Sequence, residues 1–348
     1  MSMFQPKYII NPKVLENIKR IGILISELNN RRFPKIIFVE LERSARELSV
    51  FSSTSIEGNP LPLTDVKRIL QQAPAHIRDT EKEVLNYNKA LLYLQELQLQ
   101  GRVEMNPELL KKIHGLVTEG LIEPHRQAAF RAEPVFVNDP RTRKTVYLPP
   151  DHSDVLGLVN DLASFISLNE KKLDPLILAG IFHRQFVIIH PFIDGNGRTT
   201  RLATKVLLAR MGLDTFNLFS FENYYNKNVT KYFRAIGLSG NYYELLDTID
   251  FTAWLEYFTD GVIDELLRVK KELEKTGNNL SIGLRPEYEI ILKYISEHGA
   301  IADRHYSALT PRARATRSLD FKKMTTLGLI ERKGKGKGTY YVKSERLA

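Results

Sequence analysis

Residues 190–201, HPFIDGNGRTTR, constrain this chain most tightly: an imidazole, a carboxylate, a Gly-Asn-Gly turn and two arginines follow one another without a gap. Gly195 and Gly197 let the backbone around Asn196 take conformations closed to other residues, so that successive N–H groups can converge on an anion. The following residues, RTTRLATKVLLARMG, place Leu202, Val206, Leu207 and Met211 at helical spacing. An anion in the turn therefore also faces a helix N-terminus, with its unpaired N–H groups and favourable dipole. Arg198 and Arg201 stand three apart in that first turn and can reach neighbouring phosphate oxygens with bidentate geometry. Asp194 suits Mg²⁺, which is commonly held by one or two carboxylates plus a substrate's phosphates. His190 can take a proton from an incoming nucleophile, since an imidazole ordinarily titrates near neutral pH. Each feature alone is ordinary; together they predict a phosphate cradle with a base beside it.

The stretch resembles the signature of the Fic (Fic/DOC) family, HxFx(D/E)GNGRxxR, matched by His190, Phe192, Asp194, Gly195, Asn196, Gly197, Arg198 and Arg201. The resemblance implies a protein adenylyltransferase: AMP passes from ATP to a Ser, Thr or Tyr hydroxyl of a target protein, the chain itself included, and pyrophosphate leaves. His190 is then the catalytic base, Asp194 the Mg²⁺ ligand, and Gly195, Asn196, Gly197, Arg198 and Arg201 the ATP-phosphate-binding set. Many family members carry a glutamate three residues before the histidine, where this chain has Val187, and often a glycine where it has Thr200. Related sites also transfer other phosphate-containing groups or remove AMP, and the signature does not rank these against adenylylation.

A second motif supports the first. Ser53, Glu57 and Gly58 match the (S/T)xxxE(G/N) pattern of the family's inhibitory helix, in its N-terminal class, over about residues 40–58. The resemblance implies that Glu57 pairs with Arg201 and competes with the ATP γ-phosphate for the same fork of donors. An apolar face of Ile37, Phe38, Leu41, Ala45, Leu48 and Phe51 is expected to bury that helix.

The chain of 348 residues is long enough for two or three domains, and it is expected to be mainly α. It has no cysteine, which excludes disulfides and thiolate sites. No signal-peptide core is evident, and the most apolar run, LDPLILAGIFHRQFVIIHPF, is broken by His183, Arg184 and Gln185, so no membrane span and a cytoplasmic setting are expected. Residues 1–34 read as an N-terminal extension and 35–276 as a Fic-type helical bundle. Asn106 with Pro107, and Asp174 with Pro175, mark helix starts, as do Thr64 and Asp79 or Thr80. Within the bundle, about residues 130–150 read as a β-hairpin, Val135–Val137 and Thr145–Tyr147 about a turn at Asn138-Asp139-Pro140. In Fic proteins a hairpin flap here pairs with the target's backbone. His114 and His183 read as packing residues, and Tyr224, Tyr225, Tyr232 and Phe233 as an aromatic cluster, mostly core, near where adenine binds.

After a linker at Gly277-Asn278-Asn279, residues 285–348 read as three helices and two short strands, a winged helix-turn-helix. The net charge of +9 is concentrated here: residues 301–348 hold twelve Lys or Arg against four Asp or Glu, a local +8. Arg312, Arg314 and Arg317 in or beside the third helix, with Lys333, Lys335 and Lys337 in the wing, are candidate nucleic-acid contacts. A nucleotide-sensing DNA-binding regulator is therefore the alternative to the enzyme, and a homodimer is a further partner arrangement to test.

Overall fold

The structure is a computed structural model that describes residues 4–31, 35–74, 76–101, 103–138, 144–280, 286–326 and 329–344. The chain divides into two compact units, Met1–Asn30 with Ala45–Leu267, and Arg31–Ser44 with Arg268–Ala348. The division falls inside two helices and not at Gly277-Asn278-Asn279, which continue a helix that runs Thr252–Leu280. Glycine and asparagine cost a helix interior only up to about 1 kcal/mol each, too little to end it.

The first unit is helical: α1 Pro12–Asn29, the C-terminal half of α2 Lys35–Ile56, α3 Leu63–Gln71, α4 Asp79–Gln100, α5 Pro107–Thr118, α6 His152–Asn169, α7 Pro175–Ile189, α8 Asn196–Leu208, α9 Glu222–Lys227, α10 Val229–Ile236, α11 Tyr242–Leu245 and most of α12 Thr252–Leu280. Asn106 and Asp174 cap α5 and α7 as expected, accepting from Leu109 N–H at 2.9 Å and Leu176 N–H at 2.8 Å. The starts of α3 and α4 fall elsewhere, after Pro62 and Arg78. At α4 neither Asp79 nor Thr80 is the cap residue; the Glu81 carboxylate instead reaches back to the Arg78 N–H at 2.7 Å.

Helix α7 is the centre of the unit. Almost every side chain from Leu176 to Ile189 is buried, the pattern of a helix hydrophobic all round. Helix α8 packs along it, buried nearly throughout. Gly180 lets α12 approach α7: a Cβ there would lie 2.6 Å from Leu255 Cδ2 and 3.3 Å from Phe258. At the same place Trp254 Nε1 donates to Gly180 O at 2.7 Å.

Helix α2 corrects one expectation. Ala45 is buried as expected, but Phe38, Leu41, Leu48 and Phe51 are only half-buried, and the side chain of Ile37 lies outside the described residues; Val50 and Ile56 are buried together with the polar Glu47, Ser49, Ser52, Ser53 and Thr54. Part of the inward surface is polar because its partners are polar: Ser49 Oγ meets Ser220 at 2.9 Å and Glu222 at 3.1 Å, and Glu222 also accepts from Tyr87 OH at 2.9 Å.

The expected hairpin is part of a three-stranded sheet, β1 Val137–Asn138, β2 Thr145–Leu148 and β3 Gly240–Asn241 in that order. β1 and β2 are antiparallel, and β2 and β3 are parallel. Asp139 and Pro140 of the expected turn lie outside the described residues.

In the second unit, α13 Pro286–His298, β4 Ala300–Ile301, α14 Asp303–Leu309, α15 Arg314–Thr326, β5 Ile330–Lys333 and β6 Tyr340–Lys343 follow in order, with the strands arranged β4-β6-β5. Tyr288, Ile291, Ile295, Ile301, Tyr306, Phe321, Met324, Leu329 and Ile330 form its own core. Among the described residues no helix is long and apolar enough to cross a membrane.

The Gly180 contact gives a direct test of the bundle. Gly180→Val is expected to cost about 1–3 kcal/mol through overpacking, read as a lower urea midpoint at unchanged slope.

Candidate active site

The site is built where α7 ends and α8 begins. Helix α7 stops at His190, whose backbone is left-handed, φ 50° and ψ 58°, and whose N–H bonds back to Phe186 O at 3.1 Å. His190 Nδ1 lies 3.3 Å from Val187 O. A carbonyl only accepts, so in the neutral ring Nδ1 carries the proton and Nε2 keeps its lone pair. Burial lowers the His190 pKa, and the nearby Arg131 charge adds to that; Val187 O, Glu57 and Asp194 act the other way. The imidazole is thereby kept in its basic form.

Asn196 serves the loop itself. Its side chain accepts from Phe192 N–H at 2.9 Å and donates to Phe192 O at 2.8 Å. The expected phosphate contact of this residue is therefore left to its backbone. The first bond back into α8 runs from Thr199 N–H to Gly195 O at 2.9 Å, so the N–H groups of Asn196, Gly197 and Arg198 precede the helical ladder. Gly195 is left-handed, φ 74°, and a Cβ on it would come within 2.8 Å of Thr118 Cγ2. A Cβ on Gly197 would lie 2.1 Å from Glu57 Oε1 and 3.0 Å from Arg201 Nη1.

Both arginines of the loop are buried and matched. Arg198 donates to Glu83, and through Nη2 to Asp194 Oδ2 at 3.2 Å and Oδ1 at 3.3 Å. Glu83 also accepts from Asn59 Nδ2 at 2.7 Å. Arg201, fully buried, donates from Nε to Ser53 Oγ at 2.8 Å and from Nη2 to Ser53 O at 2.9 Å and Glu57 Oε1 at 2.7 Å. Burial opposes its charge, but Glu57 and neighbouring oxygens more than offset this and raise its pKa. Its Nη1 is buried with no hydrogen-bond partner. Gly58, φ 92°, ends the helix that presents Ser53 and Glu57.

A cleft of 760 Å³ opens over these groups. Glu57, His190, Gly197 and Arg201 line it together with Val146, Tyr147, Tyr232, Phe233, Ile236 and Leu238, a polar and an apolar set. Of the expected aromatic cluster, Tyr232 and Phe233 reach the cleft and Tyr225 is core. Among the described residues no three His, Asp or Glu gather around a metal position. Asp194, with its side chain 57% exposed, fits an ion that brings its other ligands as phosphate and water.

Two histidines support the site from behind. His183 is fully buried, 3.0 Å from both Tyr232 OH and Thr204 Oγ1, a core residue as expected. His114 stacks on Phe192 with ring centroids 3.8 Å apart, accepts at Nδ1 from Ala128 N–H at 3.1 Å and meets Asp194 O at Nε2 at 3.1 Å. It holds the loop carbonyl as well as packing. Glu83 and Arg131, which also touch these elements, carried no sequence signal beyond their residue type, and Tyr147 was marked only as a hairpin residue.

The basic candidates of the second unit separate into two groups. Arg312 precedes α15 and pairs with Glu287 and with Asp320 at 3.2 Å. Arg317 forms a bidentate pair with Asp303 at 2.8 and 2.9 Å, from α15 to α14. These two are spent on the unit's own carboxylates. Arg314 and Lys335 are exposed, as are Lys322 and Lys323. Lys333 lies 3.0 Å from Glu331, and the side chain of Lys337 is outside the described residues.

Residues 104–208 match the profile of the Fic/DOC family. The chain is 28% identical over 229 residues to the protein adenylyltransferase Fic of Aedes aegypti, covering 58% of this chain and 44% of that protein. It is 31% identical over 185 residues to the protein adenylyltransferase fic-1 of Caenorhabditis elegans, covering 49% and 34%. The chain thus spans less than half the length of these curated relatives. A Fic family protein from Desulfovibrio desulfuricans superposes with a TM-score of 0.65 at 20% identity over 98% of this chain and 99% of that one. The C. elegans Fic-1 structure gives 0.60 at 20% identity over 76% and 73%. These structures share the fold.

Burial lowers the His114 pKa to about 4 from the ordinary 6.5. An unfolded chain binds this proton near pH 6.5 and the folded one only near 4, so stability falls as pH drops through that interval, by about 3 kcal/mol in full. Urea midpoints at pH 7 and 4.5 test this: His114→Phe, which cannot titrate, is expected to lose markedly less stability over the interval than the parent.

Proposed function

We propose, for a chain that is a Fic-family protein, that it transfers AMP from ATP to a hydroxyl side chain of a target protein and that Glu57 restrains the reaction. The observation that carries this reading is the Glu57–Arg201 pair at 2.7 Å, set directly over Gly197 in the amide cradle. In the reaction His190 Nε2 takes the hydroxyl proton while that oxygen attacks the α-phosphorus. The bond to the β-phosphate bridging oxygen breaks, and pyrophosphate leaves. The N–H groups of Asn196, Gly197 and Arg198, with the guanidinium groups of Arg198 and Arg201, lie where the leaving group's charge develops. Asp194 would hold Mg²⁺, which supplies further neutralisation of phosphate charge when bound. The apolar part of the cleft, with Tyr232, Phe233 and Ile236, accepts the nucleobase. The outer edge of β1 suits main-chain pairing with an extended target segment, because β2 is paired on its other side by β3.

Glu57 works by occupancy: its carboxylate takes Arg201 Nη2 and the space above Gly197 that a γ-phosphate needs. Incubation of Glu57→Gly with labelled ATP and a lysate is expected to raise protein labelling about 10–100-fold, the worth of one charge-assisted hydrogen bond. His190→Ala in that background is expected to lose about 10²–10⁴-fold. Mass spectrometry of the labelled protein reads whether the added group is AMP. A Glu57→Gly protein that binds ATP and labels nothing would overturn the reading.

A second reading concerns residues 285–348, taken as a winged helix-turn-helix that contacts DNA. It is favoured by the exposed Arg314, Lys322, Lys323 and Lys335 on α15 and the segment between β5 and β6. With four phosphate contacts the affinity of the full chain for a DNA duplex should fall with a log–log salt slope near −4, about a hundredfold between 50 and 200 mM. Fluorescence anisotropy tests this: Lys322→Glu is expected to flatten the slope by about one contact, whereas salt-independent binding contradicts it.

A further inference from the structure

We propose that Arg131 is a positioning residue of the reaction: its guanidinium fixes the left-handed backbone of His190 and so the tautomer and aim of the catalytic imidazole. The inference rests on the reading of His190 as the base.

The argument starts from an unusual backbone. His190 is one of two non-glycine residues with positive φ among the described residues. A side chain bearing a Cβ stays in that region only where its surroundings over-determine it. The helix end also leaves carbonyls without an intrahelical donor, and Pro191, which follows, has no N–H to offer. Every carbonyl from Val187 to Pro191 nevertheless has a named partner. Val187 O meets His190 Nδ1 at 3.3 Å, and Ile188 O accepts from Tyr147 OH at 3.0 Å. The next three all belong to Arg131: Nη2 to Ile189 O at 3.5 Å, Nε to His190 O at 2.8 Å, and its own backbone N–H to Pro191 O at 2.9 Å.

The same guanidinium reaches the two feet of the β1–β2 segment, Glu133 O at 3.2 Å and Pro150 O at 2.5 Å. Arg131 is 4% exposed, and among the described residues it forms no ion pair. A buried cation is costly, and the compensation here is four carbonyl oxygens, two at the negative end of α7 and two beside the β1–β2 segment, with the Asp151 charge also acting in its favour. A lysine offers three donors from one point and cannot span these acceptors; the planar fork of arginine can. The geometry therefore links the sheet that precedes the site to the one peptide unit whose conformation sets where Nε2 points.

Two measurements test the assignment, both in the Glu57→Gly background. Arg131→Ala is expected to lower kcat for AMP transfer about a hundredfold, the scale of an ångström of misplacement. KM for ATP should stay within about twofold, because Arg198 and Arg201 are untouched. Methylguanidinium added to Arg131→Ala should restore part of the rate, whereas Arg131→Lys should not. Independently of any transfer, ¹⁵N-histidine spectra, with His190 assigned through His190→Gln, should show the Nδ1-protonated ring in the parent and a mixture of tautomers in Arg131→Ala. If Arg131→Ala does not fold, Arg131→Lys carries the same comparison. An unchanged His190 spectrum overturns the proposal whatever the rates do, and so does a kcat within threefold of the parent. Failure of the parent to transfer AMP would instead strike at the reaction, leaving the spectra to decide the role of Arg131.

Discussion

A guanidinium taken out of water has to be met by an anion or by well-placed acceptors, and Arg201, with no exposed surface, makes this demand at the centre of the first unit. Much of the surrounding structure follows from meeting it. Helix α2 turns a serine and a glutamate toward it, Ser53 and Glu57, one turn apart on the same face. That face cannot then be wholly apolar, and Ser49, Ser52 and Thr54 are buried on the helix beside Val50 and Ile56. Lys205, Glu222, Tyr87 and Ser220 continue the network behind α2. The helix is held by paired polar groups as well as by buried Ala45, Val50 and Ile56, which ties part of its seating to the state of one arginine.

How much of this was legible in the sequence depends on how far apart the cooperating groups lie. The loop was legible because His190, Asp194, the Gly-Asn-Gly turn and both arginines are contiguous, and a turn plus a helix start leaves them few places to go. Caps at Asn106 and Asp174 were legible for the same reason, being local hydrogen bonds between residues two or three apart. Glu83 and Arg131 were not. One is an acid in the run DTEKE and the other an arginine in FRAE, and only tertiary packing brings them to Arg198 and to His190. The same limit misled in the opposite direction at the C-terminus. A count of basic residues cannot see that Arg312 and Arg317 are consumed by Glu287, Asp320 and Asp303. The α2 face was misjudged because hydrophobic periodicity assumes that the inward side is the apolar one.

Around the loop three buried arginines are matched in three ways. Arg198 meets two carboxylates, Glu83 and Asp194; Arg201 meets one, Glu57; Arg131 meets only carbonyl oxygens. The division follows from what each must do. A carbonyl ring fixes a backbone and is indifferent to an arriving ligand, which suits a residue that holds His190. A carboxylate on a guanidinium can be exchanged for another anion, which suits residues that face phosphate in the proposed reaction.

Glu57, Glu83 and Asp194 set three carboxylates against the two guanidinium groups they touch, Arg198 and Arg201, before any ligand arrives. A triphosphate entering such a site gains little from Coulomb attraction unless one acid gives way. Glu83 and Asp194 lie on Arg198, and Asp194 can keep its charge useful by taking a cation that arrives with the phosphates. Glu57 is different in position. Its oxygen lies 2.1 Å from where a Gly197 Cβ would be, at the start of α8, the place that the proposed reaction assigns to the γ-phosphate. Displacing it uncovers Arg201 Nη1, already buried and without a partner, together with Nη2. Arg201 is then left without a carboxylate where the γ-phosphate of the proposed substrate would sit, so loss of a single acid changes both the shape and the charge of the site.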